Sequence, residues 1–344
     1  MLPGGSGPGW QGGTDSKVMK APFSVIDLHC DTLWRTFTYG GDFKKNGYHI
    51  DMEKLKKGGA LAQFFAAFIY MGDPSKTIEE YRDYAFAMIS RFYEEIEADP
   101  GLESARSLED VEKNKASNKI SAILTLEEGG IITSPDDIDL LFSKGVRLIT
   151  LTWNFPNSLG YPNKDWIHTE KGLTSLGKDT VKAMEQKGIL VDVSHLSDRG
   201  FKDVAAILEG PFLASHSCCR AITPHPRNLT DEMIRDVAGH GGVVGVNFSS
   251  AFLGTGETGT IEGIVAHMRH LKRCGGIEAC ALGSDFDGIF CPLELEDYSG
   301  MPRLFEAFKK AGFTMGECEK IAYQNVWRLM EPMGRPAESK KTEQ

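Results

Sequence analysis

The 344 residues carry 38 Lys and Arg against 48 Asp and Glu, a formal charge of −10, which argues against phosphate-backbone binding, and no local basic cluster reverses it. Hydrophobic residues make up 41% and charged residues 25%, enough to bury a core and too apolar for compositional disorder, while no run approaches the about 20 apolar residues of a membrane span. Seven cysteines (Cys30, Cys218, Cys219, Cys274, Cys280, Cys291, Cys318) are odd in number and too sparse for a disulfide scaffold, so a reducing, cytoplasmic setting is expected.

Residues 1–20 are glycine-rich without the apolar core of a signal peptide and are expected to form a flexible leader. A start at Met19 behind an added extension accounts for the composition equally well. Eight short apolar runs follow: Phe23 to Leu28, Ala60 to Tyr70, Ile120 to Leu126, Val146 to Thr152, Ile189 to Val193, Pro211 to Ala214, Gly242 to Phe248 and Ala279 to Leu282. Segments with helical spacing separate them, from Ile78 to Ala98, Ser107 to Lys115, Ile138 to Lys144, Thr174 to Lys187, Arg199 to Leu208, Asp231 to Ala238 and Ile261 to Arg273. Two more follow the eighth run, Met301 to Ala311 and Met315 to Met330. Ser107 with an acid three residues on and Thr230 read as helix starts, Gly188 and Gly241 as stops. Strands nearly continuous in apolar residues, alternating with helices, indicate a parallel sheet covered on both faces. Eight such units predict an α/β fold of the (β/α)8 TIM-barrel type, and the first run lacks the glycine fingerprint of a dinucleotide-binding fold. One domain over residues 21–334 is expected, with 335–344 as a polar tail.

Active sites of such barrels form at the carboxyl ends of the strands. There the sequence places His29-Cys-Asp31, Glu127-Glu128-Gly-Gly, Ser194-His195, Ser215-His216 and Ser284-Asp285-Phe-Asp287-Gly288. Each alone has an ordinary explanation: a chance His-x-Asp, an acidic helix start, a hydrogen-bonded structural histidine, a turn. Five strand ends delivering nitrogen and carboxylate ligands to one rim do not. Three imidazoles and carboxylates without a thiolate suit zinc, a glutamate can bridge two such ions, and a further carboxylate, Asp285, can carry a proton. His267 and His270, three apart on an outer helix, are read as packing residues. His168, with Tyr161 and Trp166, is a candidate for the pocket wall.

Asp27-Leu-His29-Cys-Asp31-Thr, Leu126-Glu-Glu128-Gly-Gly, Asp192-Val-Ser-His195, Ser215-His216-Ser, Arg227-Asn228 and Gly283-Ser-Asp285-Phe-Asp287-Gly288 together resemble the renal or membrane dipeptidase family, a zinc peptidase branch (M19) of the amidohydrolase-like barrels. The similarity runs from about Ser24 to Met330 in order. The resemblance implies a dipeptidase with two Zn2+ per chain: His29 and Asp31 on one ion, His195 and His216 on the other, and Glu128 bridging, chosen over Glu127 because the family motif is glutamate followed by two glycines. It implies a metal-bridging hydroxide as nucleophile, Asp285 as proton shuttle, Arg227 on the substrate carboxylate and Asp287 shaping the loop that aims Asp285. One departure stands out. Thr150-Leu-Thr152 is followed by Trp153-Asn154 where the animal enzymes have a histidine, so the oxyanion donor passes to Trp153 or Asn154, and tolerance of a carboxyl-terminal D-residue should respond to this change. The alternatives are a related barrel metallohydrolase acting on another amide or lactone, and a non-catalytic family member. The sequence carries no interface signature for the homodimer that relatives form.

Overall fold

β-Branched and aromatic residues flanked by turn signals fold as the strands β1 (Val25–Cys30), β2 (Ala60–Phe68), β4 (Ile120–Glu127), β5 (Leu148–Thr150), β6 (Leu190–Asp192), β7 (Val244–Val246) and β8 (Cys280–Leu282). The computed structural model describes residues 23–335, so the leader and all but Arg335 of the expected tail lie outside the described residues. A short additional strand, β3 (Leu102–Ser104), pairs with the start of β4 and was not expected from the sequence. All ladders are parallel, and the sheet runs β6-β5-β4-β2-β1-β8-β7. The expected strand at Pro211 to Ala214 is reduced to two single bridges, Asp192 to Leu213 and Ala214 to Val244. Those bridges join β6 to β7 and close the ring. Gly245 and Gly283 make the closure possible, because a Cβ at either would strike the Ser215 carbonyl.

The helices form where periodicity and caps place them. The helix Ile78–Ala98 opens with a Thr77–Glu80 capping box, Ser107 caps Leu108–Ala116 through Asp110 N, and Thr230 caps Asp231–Gly239 through Met233 N. The continuous last helix expected over Met315 to Met330 is instead two short α-helical pieces, Met315–Glu319 and Asn325–Leu329, joined by a π-helical turn. Three α-helices went unforeseen, Thr32–Tyr39, Met52–Gly58 and the single turn Ser250–Leu253.

Two apolar cores result. One joins the strands to the surrounding helices; the other fills the barrel with Ile26, Phe64, Ile123, Leu148, Leu190, Leu213 and Ala281 and is plugged by Val326, Leu329 and Met330. On β4, Ile123 belongs to the barrel interior and Leu124 and Leu126 to the helix-facing core. This alternation decides which of two adjacent glutamates enters the barrel mouth.

Candidate metal centre

Glu127, the last residue of β4, lies four residues after Ile123 and shares its inward face. Its carboxylate is the hub of the site: Oε2 lies 3.3 Å from His29 Nε2, and Oε1 lies 3.3 Å from His195 Nε2 and 3.6 Å from His216 Nε2. Glu128 does not reach this cluster, contrary to the expectation from the glutamate-glycine-glycine motif. Its backbone turns at φ 89°, and its buried carboxylate accepts from Gly130 N (2.7 Å), Trp153 N (2.9 Å) and Asn157 Nδ2, tying the end of β4 to the loop after β5. The physical reason is the two-residue period of the strand. The glycine motif marked the turn and not the residue before it that faces inward.

The other expected ligands do converge. His29 Nε2 lies 3.4 Å from Asp31 Oδ2 and 3.8 Å from Asp285 Oδ1, and the His29 and His216 rings are 4.0 Å apart. Two sets have ligand atoms within 4.8 Å of one another: His29, Glu127 and His216, and His29, Asp31 and Asp285. Gly288 leaves room for this, since a Cβ there would collide with Asp31 Oδ2 and Asp285 Oδ1. Of the five non-glycine residues with positive φ among those described, Glu128, His195, Asp285 and Asp287 follow strand ends at this rim. Strain of this kind persists only where the surrounding structure enforces it.

Hydrogen bonds fix two tautomers. Asp192 Oδ2 accepts from Ser215 Oγ (2.6 Å), whose oxygen is then left to accept from His216 Nδ1 (2.7 Å). Asn154 Oδ1 can only accept from His195 Nδ1 (3.2 Å). Both Nε2 lone pairs therefore face inward, 2.9 Å apart. Two lone pairs at that distance repel unless a cation or proton lies between or beside them. His29 Nδ1 and Nε2 and Asp31 Oδ1 are likewise buried without hydrogen-bond partners, so the donor set fits a metal centre.

The electrostatics agree. Burial, then Arg227 nearby, pushes His195 down to about 3, and burial with the neighbouring imidazoles holds His216 well below its ordinary value, so both imidazoles are neutral. Burial opposes a charge on His29, but Glu127 and Asp31 overcome it and hold the imidazole well above its usual range. Glu127 stays ionised despite burial because His29 and His195 face it. Burial, with the charges of Asp31 and Glu127, raises Asp285 to about 8, and burial raises Glu128 to about 7.

Around the cluster lies a cavity of about 450 Å³ whose walls include Trp34, Phe68, Tyr70, Trp153, Asn154 and Phe252. Tyr161, Trp166 and His168 do not line it. Arg227 is buried, 5.2 Å from the Phe252 ring, and donates through Nη2 to the His216 carbonyl (3.3 Å). Its Nε and Nη1 have no partner, and among the described residues no carboxylate pairs with it. Asn247, unremarked in the sequence, donates Nδ2 to Asp285 Oδ2 (2.8 Å); only tertiary contact identifies it.

A second group, Asp231, His270 and Cys274, also clusters. There Arg273 donates to His270 Nδ1 (2.7 Å), so Nε2 carries the proton that Asp231 Oδ1 accepts (2.6 Å). That arrangement presents no imidazole lone pair to a metal. His267 accepts from Cys219 N at Nδ1 (3.0 Å) and gives its Nε2 proton to the Leu253 carbonyl (3.2 Å), the packing role expected.

The family profile described as membrane dipeptidase (peptidase family M19) matches residues 15–344. An uncharacterized protein from the pqqA 5' region of Klebsiella pneumoniae is 35% identical over 236 residues, 65% of this chain and 86% of that one. A crystal structure of the dipeptidase AC, a metallo peptidase of family M19, superposes with a TM-score of 0.84 at 28% identity, covering 91% of this chain and 99% of the other. A metallo peptidase from Rhodobacter sphaeroides, liganded with a phosphinate mimic of the dipeptide L-Ala-D-Ala, gives 0.84 at 27% identity over 90% and 99%.

Proposed function

The chain belongs to the membrane dipeptidase family, peptidase family M19, and is a metallo-dipeptidase, a hydrolase; from that premise we propose that it cleaves dipeptides, including those with a carboxyl-terminal D-residue, with two zinc ions. The observation that carries this reading is the inward-facing set His29, Asp31, Glu127, His195 and His216, brought from four points of one barrel rim around orphaned polar atoms. His29 and Asp31 would hold one ion, His195 and His216 the other, with Glu127 shared between them. Such ions supply an activated water and polarise the scissile carbonyl.

The chain's own groups do the rest. Arg227 offers two unpartnered guanidinium donors to the substrate carboxylate. Asp285 Oδ2 is held by Asn247; cations that offset the charges of Asp31 and Glu127 would keep this carboxylate ionised, leaving Oδ1 to take a proton from water and return it to the departing nitrogen. The backbone N–H of Trp153 is committed to Glu128, whereas Asn154 Nδ2 has no hydrogen-bond partner among the described residues and borders the cavity. Trp153 keeps its indole Nε1–H as a second donor on the cavity wall; we assign the oxyanion contact to Asn154 Nδ2, on the side chain that His195 Nδ1 holds through Oδ1. The relative bound to an L-Ala-D-Ala mimic supports acceptance of D-residues, and seven free thiols fit a reducing, cytoplasmic setting. Among the described residues no helix is long and apolar enough to cross a membrane.

The test is zinc stoichiometry measured together with dipeptide hydrolysis. Asp285→Asn should keep the metal content and lower kcat by about 10²-fold or more; a variant with undiminished kcat would remove Asp285 from the proton pathway.

A further inference from the structure

The cavity has two chemically different ends. Its floor carries the charged side chains Asp31, Glu127 and Asp285 with His195; one wall is built of Trp34, Phe68, Tyr70 and Trp153. These four rings pack edge to face: Trp34 on Phe68 at 5.5 Å, Phe68 on Trp153 at 4.9 Å and Tyr70 on Trp153 at 5.7 Å. Trp153 in turn lies 6.2 Å from the His195 ring, so the wall begins where the metal cluster ends.

Ring order fixes where this wall stands relative to the carboxylate donor. Going round the barrel, the positions are β1, β2, β4, β5, β6, the bridging segment 211–214, β7 and β8. Phe68 ends β2, and Tyr70 follows it. Arg227 rests on the His216 carbonyl, just past the bridging segment, four positions round the ring from β2. The two therefore stand on opposite sides of the ring, and Arg227 reaches the cavity's edge at Phe252, a lining residue 5.2 Å from its guanidinium. With the carboxylate at Arg227 and the scissile carbonyl over Glu127, the residue on the far side of the peptide bond is the amino-terminal one.

We infer that the aromatic wall is the subsite for the amino-terminal side chain and selects dipeptides whose first residue is bulky and apolar. The inference rests on the dipeptidase reading above and on Arg227 as its carboxylate anchor. None of the four wall residues is charged, and the cation nearest them, Arg35, 5.3 Å from the Trp34 ring, gives its Nε to the Asp287 carbonyl and is not among the lining residues, so the wall itself offers apolar rings that glycine leaves wet. Removing a large apolar side chain from water onto such a wall favours Phe or Leu by about ten- to hundredfold in kcat/KM.

The test is a panel of Phe-Ala, Leu-Ala, Gly-Ala and Glu-Ala, run beside the reversed Ala-Phe and Ala-Gly, on the zinc-loaded enzyme. The expected result is a Phe-Ala to Gly-Ala ratio of kcat/KM of about 10 or more, larger than that of Ala-Phe to Ala-Gly. Tyr70→Ala, at a position 51% exposed and tolerant of truncation, should cut the first ratio severalfold and spare the second. Equal rates for Phe-Ala and Gly-Ala, or a preference confined to the second residue, would overturn the subsite while leaving the dipeptidase reading intact. Failure to cleave any of the six by zinc-loaded protein would instead overturn the reading on which the subsite rests.

Discussion

Glu127 and Glu128 are adjacent and chemically identical, yet their surroundings give them different work. Glu127 meets three imidazoles, and Glu128 meets three N–H donors that join two strand ends. Glu127→Gln is expected to abolish stoichiometric zinc binding, as measured by elemental analysis, with activity lost in parallel. Glu128→Gln turns an amide NH2 toward a donor and should cost about 1–3 kcal/mol of stability in denaturant titration while zinc binding survives. The reverse pattern would return the ligand role to Glu128. The signal separating the two was already in the sequence: Ile123, Thr125 and Glu127 share one face of a strand whose other face carries Leu124 and Leu126. The motif of glutamate and two glycines points instead to Glu128, one residue beyond the glutamate that faces the imidazoles. His29, Asp31, His195 and His216 were legible because each follows an apolar run at a strand end. Asn154, Asn157 and Asn247 were not legible as partners of His195, Glu128 and Asp285, because amides carry no periodic signal.

Connecting elements hold the rim in place. The loop after β8 is fastened through Asp287, which accepts from Thr32 Oγ1 (2.5 Å) and His49 N (2.7 Å), and whose carbonyl accepts from Arg35 Nε (2.7 Å). Asp287→Ala should release the loop that aims Asp285, lowering kcat about tenfold with less change in KM, and Asp287→Asn should recover part of the loss because its amide oxygen still serves His49 N. The helix Ile261–Gly275 is seated by His267, whose imidazole burial pulls from its ordinary 6.5 to about 4. Because the folded value is the lower one, the unfolded chain binds the extra proton. The contribution is therefore complete above pH 6.5 and declines as pH falls toward 4, by about 3 kcal/mol at most. Stability measured between pH 4 and 7 should fall less steeply in His267→Gln than in the native protein. Identical slopes would show that His267 is not a source of the pH dependence.

Across the whole molecule, the cluster gathers buried carboxylates and imidazoles that the apolar interior by itself would not favour. A cation bound to the native state alone stabilises it by mass action, about 4 kcal/mol at a thousandfold excess over Kd. Removing metal with a chelator is thus expected to lower Tm, and adding zinc to restore it. An unchanged Tm would mean that metal and fold are uncoupled. The ring itself closes through only two bridges at Leu213 and Ala214, where the sequence suggested a full strand. Gly245 and Gly283 let the Ser215 carbonyl approach there, and no local pattern reports that contact.

By itself the sequence determined the alternation of strands and helices, hence the barrel, and with it the rim on which ligands at strand ends must meet. That information is local, carried by side-chain periodicity and by caps such as Thr77 and Thr230. The tertiary structure decided which amides orient the imidazoles and which wall stands opposite Arg227. Those outcomes depend on the order of strands around the ring, set by contacts between residues far apart in the chain.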